Sequence, residues 1–222
     1  TGSKVIAGWD FVNNDNDPMD DQYHGTHCAG IAAGNDTIYR GVAPDAKLVA
    51  AKVMDSSGSG WTSDIIAGID YCTNISNIYN ISVISMSLGS GGYDTYCDSF
   101  ELETESINEA VARGITVVVA TGNSGYTNKV SSPACIRNSL RVGATTKSDE
   151  IASYSNRWSL PMILAPGSTI TSTVPGKGYE TLSGTSMATP HVAGAVALLQ
   201  QYAKLKNNTP ISPSTAEFVL NY

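Results

Sequence analysis

An α/β fold built on a mainly parallel sheet is what this sequence predicts, and three observations carry that expectation. First, apolar and β-branched runs recur at residues 4–11, 47–54, 82–88, 115–120, 140–144 and 162–165. Several are nearly continuous in apolar character, the pattern of strands covered on both faces. Second, helical patterns lie between them. Residues 62–79 carry Ile65, Ile66, Ile69 and Cys72 on one side, and residues 101–113 carry Ile107, Ala110 and Val111 before Gly114, a C-terminal stop. Third, residues 186–206 read as a long helix of small residues through Val192, Ala195, Val196 and Leu199. Its Pro190 falls in the first turns, where a missing backbone donor costs least. Residues 206–213 are polar, and a further short helix is expected over 215–222. Alternating strands and helices place a ligand site at the carboxyl ends of the strands.

A length of 222 residues without repeat or linker fits one domain with a sizeable core. A hydrophobic fraction of 41% against 15% charged makes it globular rather than disordered. The net charge of −7 argues against nucleic acid and anionic membrane as partners. No apolar stretch is long enough to span a bilayer, and residues 1–10 lack the basic-then-apolar pattern of a signal peptide. The cysteines Cys28, Cys72, Cys97 and Cys135 form no CxxC pair, which weakens zinc and thioredoxin-like readings. One or two disulfides fit an oxidising compartment.

Three segments carry chemistry. In Gly184-Thr185-Ser186-Met187-Ala188-Thr189-Pro190 a serine flanked by small residues opens a helix. Its hydroxyl is unobstructed, and the helix N-terminus favours developing negative charge; a plain N-cap serine is the blander reading. In His24-Gly25-Thr26-His27-Cys28-Ala29-Gly30 a histidine opens a small-residue helix. The pair His24 and His27 lacks the adjacent glutamate of a zinc protease helix. In Ala120-Thr121-Gly122-Asn123-Ser124-Gly125 an asparagine follows an apolar strand; its amide can donate to an oxyanion, although Gly-Asn-Ser-Gly is also ordinary turn chemistry.

Together these segments resemble the subtilase family of serine endopeptidases, most nearly its thermitase and subtilisin branch. The likeness extends through Gly8-Trp9-Asp10-Phe11-Val12, Gly41-Val42-Ala43-Pro44, Lys52-Val53, Ser87-Leu88-Gly89 and Ala165-Pro166-Gly167-Ser168, so it covers nearly the whole chain. The resemblance implies a three-layer fold and an acyl-enzyme mechanism on a polypeptide substrate. It makes Ser186 the nucleophile, His24 the general base and Asn123 an oxyanion donor with the Ser186 N–H. It places Ser87, Leu88 and Gly89 on one side of an extended substrate and Gly58, Ser59 and Gly60 on the other. It lines a primary pocket for large apolar side chains with Ala120, Thr121, Gly122 and residues 131–134. It also implies a secreted, monomeric enzyme made with a propeptide.

The resemblance breaks at one point. The family's triad aspartate lies on a strand well upstream of the histidine, whereas only 23 residues precede His24. Asp10 matches the family's next segment and is not that aspartate. Residues 1–222 are therefore expected to be a single but incomplete catalytic domain, lacking the aspartate strand and short at the C-terminus. An inactive peptide-binding pseudoprotease is the alternative. A lipase-like hydrolase fits poorly, because its chain order runs serine, acid, histidine.

Asp10, Asn13, Asp15, Asp17, Asp20 and Asp21 crowd the loop before His24. The likeness to thermitase implies calcium there, with Asp10, Asp15 and Asp17 as ligands. A solvated acidic loop explains the same residues. The resemblance further implies a free thiol at Cys28. Cys72 is expected to be buried and free, and Cys97 and Cys135, in loops beside the cleft, to form a disulfide.

Overall fold

The strand β5 (Thr116–Ala120) is buried along its whole length, and its side chains divide between two cores. Val117 and Val119 join a cluster with Met86, Ile69 and Ile107. Val118, pointing the other way, joins Val142, Val192 and Val196. This is the two-residue alternation of a strand covered on both faces. The molecule is seen here as a computed structural model describing residues 4–176 and 178–221.

Around β5 lies a parallel sheet in the order β3 (Val83–Met86), β5, β7 (Leu140–Thr145) and β8 (Ile163–Pro166). The long helix α5 (Thr185–Asn207) packs on β3, β5, β7 and β8. On the opposite face α4 (Thr104–Ala112) rests on β5 and on α2 (Thr62–Asn74). Helix, sheet, helix gives the expected three layers. A separate parallel pair, β1 (Val5–Asp10) with β2 (Leu48–Lys52), carries α1 (His24–Ala33) between its strands.

The six strand runs and the four helical patterns are all found, with shifted ends. The pattern over 62–79 divides at Ile75 into α2 and a single turn, α3 (Ser76–Tyr79). The helix expected from residue 101 starts at Thr104. The last helix, α6 (Pro213–Leu220), begins earlier than expected, because Ser212 accepts from Thr215 N–H and Pro213 sits at its first position. The end of that expectation, Tyr222, lies outside the described residues. Two antiparallel pairs were not expected: β4 (Ser90–Tyr93) with β6 (Val130–Ser132), and β9 (Ile170–Val174) with β10 (Gly178–Leu182). Their sequences are rich in Gly, Ser and Thr and carry no apolar run.

Among the described residues, β2 and β3 each have one strand neighbour, so each keeps one open edge. A cleft of about 1650 Å³ separates those edges, lined by all of β2 and all of β3. At one end it reaches His24, Asn123 and Ser186.

Candidate active site

Ser186 is the second residue of α5, at the positive end of a 23-residue helix. Four positions on, Pro190 has no N–H to give to the Ser186 carbonyl. That carbonyl instead accepts from the Ser87 hydroxyl at 2.8 Å and the Cys28 thiol at 3.3 Å. A helix-breaking residue thus frees a backbone acceptor that ties the serine to the end of β3 and to α1. Burial pushes the Cys28 thiol up to about 11, so it stays a neutral donor. The Ser186 hydroxyl donates to the Ser87 carbonyl at 3.2 Å.

Asn123 stands in the loop after β5. Its Oδ1 accepts from Thr185 N–H at 2.8 Å and from the Thr185 hydroxyl at 3.0 Å. With the oxygen committed, the amide is oriented and Nδ2 is left to donate elsewhere. A Cβ on Gly184 would lie 3.5 Å from Asn123 Nδ2 and 3.6 Å from Ser186 N. The Asn123 amide and the Ser186 N–H therefore lie near one another beside Gly184.

His24 opens α1 and lines the same cleft. Burial, and next the charge of His27, lower its pKa, while Asp20 opposes them. The ring has no hydrogen-bond partner among the described residues. Asp20 serves the helix instead: its Oδ2 accepts from the N–H and hydroxyl of Thr26 at 2.7 and 2.6 Å, capping α1.

Ser87, Leu88, Gly89, Gly58, Ala120 and Gly122 line the main cleft, but Ser59 and Gly60 face a smaller cavity of about 320 Å³ beside Trp61. Gly60 is needed at its place, since a Cβ would lie 2.4 Å from the Val53 carbonyl. Thr121 differs from expectation. It is fully buried, and its hydroxyl donates to the Asn156 carbonyl at 3.1 Å, so it braces the cleft from behind. Cys97 and Cys135 form the expected disulfide, with Cα atoms 5.4 Å apart, while Cys28 and Cys72 are free. Arg141, fully inside, donates to the carbonyls of Ala134, Ile136, Arg137 and Pro161, holding the segment that contains Cys135.

A family model described as the subtilase family matches residues 2–220. The chain belongs to the subtilase family. Thermitase of Thermoactinomyces vulgaris is 41% identical over 92% of this subtilase and 71% of thermitase. Subtilisin E of Bacillus subtilis is 47% identical over 88% of the chain and 50% of its own length. Alkaline serine exoprotease A of Vibrio alginolyticus is 42% identical over 99% of the chain and 38% of its own length. The chain thus spans half or less of some relatives that it matches. The crystal structure of a cold adapted subtilisin-like serine proteinase superimposes with a TM-score of 0.82 at 38% identity, covering 98% of this chain and 74% of that one.

Subtilases commonly bind calcium, but the expected set does not converge in this subtilase. Among the described residues no group of three or more His, Cys, Asp or Glu side chains is placed to hold a metal ion. Asp10 is buried, with Lys52 at 2.8 Å and Asn13 Nδ2 at 2.9 Å on its Oδ2. Asp15 and Asp17 each accept a backbone N–H of their own loop, from Asp17 at 2.9 Å and Met19 at 3.2 Å. Lys52 also lies 3.2 Å from Asp21. One ammonium from β2, distant in sequence, pairs with Asp10 and Asp21, and Asp10, Asp15 and Asp17 are not gathered into one cation-binding group among the described residues.

Sequence reasoning missed Thr185, Asn156 and Lys52. Thr185 was visible only as part of the serine motif. Nothing in the sequence marks Asn156, and Lys52 appeared only in a strand run and in the Lys52-Val53 match, with no role.

Proposed function

We propose that this subtilase belongs to a serine endopeptidase working through an acyl-enzyme. The observation that carries the reading is the fixed Asn123 amide beside the Ser186 N–H at the head of α5. Ser186 Oγ attacks the peptide carbonyl, and His24 takes its proton. The oxyanion is held by Asn123 Nδ2 and Ser186 N–H. His24 then returns the proton to the leaving amine, and water, activated by the same ring, hydrolyses the ester. Extended substrate lies along Ser87, Leu88 and Gly89, opposite Gly58. Small residues at Ala120, Gly122 and Ser131 favour a large apolar side chain in the primary pocket.

The carboxylate that orients His24 comes, on this reading, from a strand filling the slot between β2 and β3. Two open parallel edges and an interposed cleft ending at His24 support it. No step is assigned to calcium. A disulfide and the exoprotease relative support a secreted, extracytoplasmic setting; a monomer made with a propeptide completes the reading.

A second reading, a peptide-binding pseudoprotease, is favoured by one fact: the His24 ring has no carboxylate partner among the described residues. One experiment separates them. A fluorophosphonate is added to the protein with an aspartate-bearing strand restored, either fused or as a free peptide. Labelling at Ser186 that His24→Ala abolishes supports the enzyme. A folded, strand-complemented protein that binds peptide yet takes no label supports the pseudoprotease.

A further inference from the structure

Asn123 is exposed and stands in a loop with Gly122 and Gly125 at φ of +101° and +66°. Such a loop is intrinsically free to move, yet an oxyanion donor must be held in place before charge develops. Thr185 holds the Asn123 side chain; the loop backbone around it is held by Asn156, fully buried beneath the loop. Its Oδ1 accepts from Ser124 N–H at 3.0 Å and Tyr126 N–H at 3.1 Å. Its Nδ2 donates to the Thr121 carbonyl at 2.9 Å. Its own N–H donates to the Gly122 carbonyl at 3.0 Å. The loop is thus gripped on both sides of Asn123, while Asn123 itself is left out of the grip and free to face the cleft. Only a side chain with an acceptor at one end and a donor at the other can hold two N–H groups and a carbonyl at once. The same amide leaves no room for a side chain at Gly122, where a Cβ would lie 2.4 Å from Asn156 Nδ2.

We propose that Asn156 is a positioning residue of the oxyanion site, acting on the reaction through the Asn123 loop rather than by touching substrate. This rests on the reading of Asn123 as an oxyanion donor. A loop displaced by about 1 Å can cost roughly 10²-fold in rate, comparable with loss of an oxyanion donor at ~10²–10³.

The test is a double-mutant cycle in the whole protein, combining Asn156→Ala with Asn123→Ala on a peptide substrate. Expected is a fall in kcat of about 10- to 100-fold for Asn156→Ala, with KM changed less than about threefold. In the Asn123→Ala background the second substitution should add little. Amide exchange at Ser124 and Tyr126 should quicken in Asn156→Ala. Should that variant fail to fold, Asn156→Ser, whose hydroxyl replaces one bond, enters the same cycle with a smaller expected loss. Losses that multiply in the double variant, or a rise in KM alone, would overturn the proposal and leave the reading of Asn123 intact. An Asn123→Ala variant with wild-type kcat would overturn that reading, and the role of Asn156 with it.

Discussion

Thr185 gives two hydrogen bonds to one atom, Asn123 Oδ1: its N–H at 2.8 Å and its hydroxyl at 3.0 Å. The same hydroxyl accepts from Gly122 N–H at 3.2 Å. One buried side chain therefore joins the head of α5 to the loop after β5. Ser186, the proposed nucleophile, is the next residue along, so Thr185 links it directly to the Asn123 amide.

Thr185→Val keeps the shape and removes that hydroxyl. The expected result is a kcat lower by about tenfold with KM nearly unchanged, since ~1 kcal/mol or more of orientation is lost at a donor that acts in the transition state. Thr185→Ser should restore most of the rate. Equal kinetics for all three proteins would show that the backbone bond alone orients Asn123.

Lys52 and Asp10 form a pair with side chains only 8% and 3% exposed, so salt screens it weakly. Burial raises the pKa of Asp10, but Lys52 and the Asn13 N–H and amide outweigh it and bring the carboxyl down to about 2. A carboxyl depressed in the fold stabilises above its ordinary value of 3.8 and loses that contribution as pH falls toward 2. Lys52→Met leaves Asp10 buried without its cation. It should cost about 3 kcal/mol in urea unfolding at pH 7, with a shrunken loss of stability between pH 4 and 2. A chelator should move the melting temperature by less than ~2 °C through this loop. A large calcium dependence that Asp15→Asn removes would reinstate the metal ligands that the geometry argues against.

The disulfide Cys97–Cys135 closes a separation of 38 residues. It ties the segment before α4 to the segment behind the pocket residue Ser131, where Arg141 holds three neighbouring carbonyls. Replacing both cysteines by alanine should cost about 2–4 kcal/mol, lowering the melting temperature by roughly 5–15 °C. Calorimetry of the two proteins decides it. A difference under ~2 °C would mean that Arg141 and the surrounding packing suffice.

What the sequence revealed follows from how each element is stabilised. β5 is legible because both faces are buried, so Val117, Val118 and Val119 all had to be apolar. β4 and β10 were not, because Ser90-Gly91-Gly92-Tyr93 and Gly178 with Glu180 are held by backbone pairing at the surface, which leaves no side-chain pattern. Within the site, His24, Asn123 and Ser186 stand in short motifs that sequence displays. Asn156 and Lys52 act through contacts 35 and 42 residues away in the chain. A polar side chain satisfied across such a separation looks, in sequence, like any surface residue. In the acidic loop, likewise, the ammonium that pairs with Asp10 and Asp21 lies on another strand.

His24 supplies the last expectation. Burial, then the charge of His27, lower its pKa from 6.5, with Asp20 opposing. A histidine kept neutral by the fold contributes stability above pH 6.5, and that contribution is lost as pH falls through the lowered value. The ring signal followed by NMR should therefore titrate below 6.5 in residues 1–222, and lower still in Asp20→Asn. An aspartate brought to the ring by a strand in the slot favours the imidazolium and should move the midpoint upward. The activity limb that reports the free base should move with it, because His24 must be unprotonated to accept the serine proton. Titrating the ring with and without a strand peptide, and with the aspartate of that peptide changed to asparagine, isolates the carboxylate. An upward shift with the aspartate peptide alone supports a triad completed through the slot. Identical midpoints for both peptides, when each is bound, would place the strand's carboxylate away from His24 and remove the physical basis for the triad.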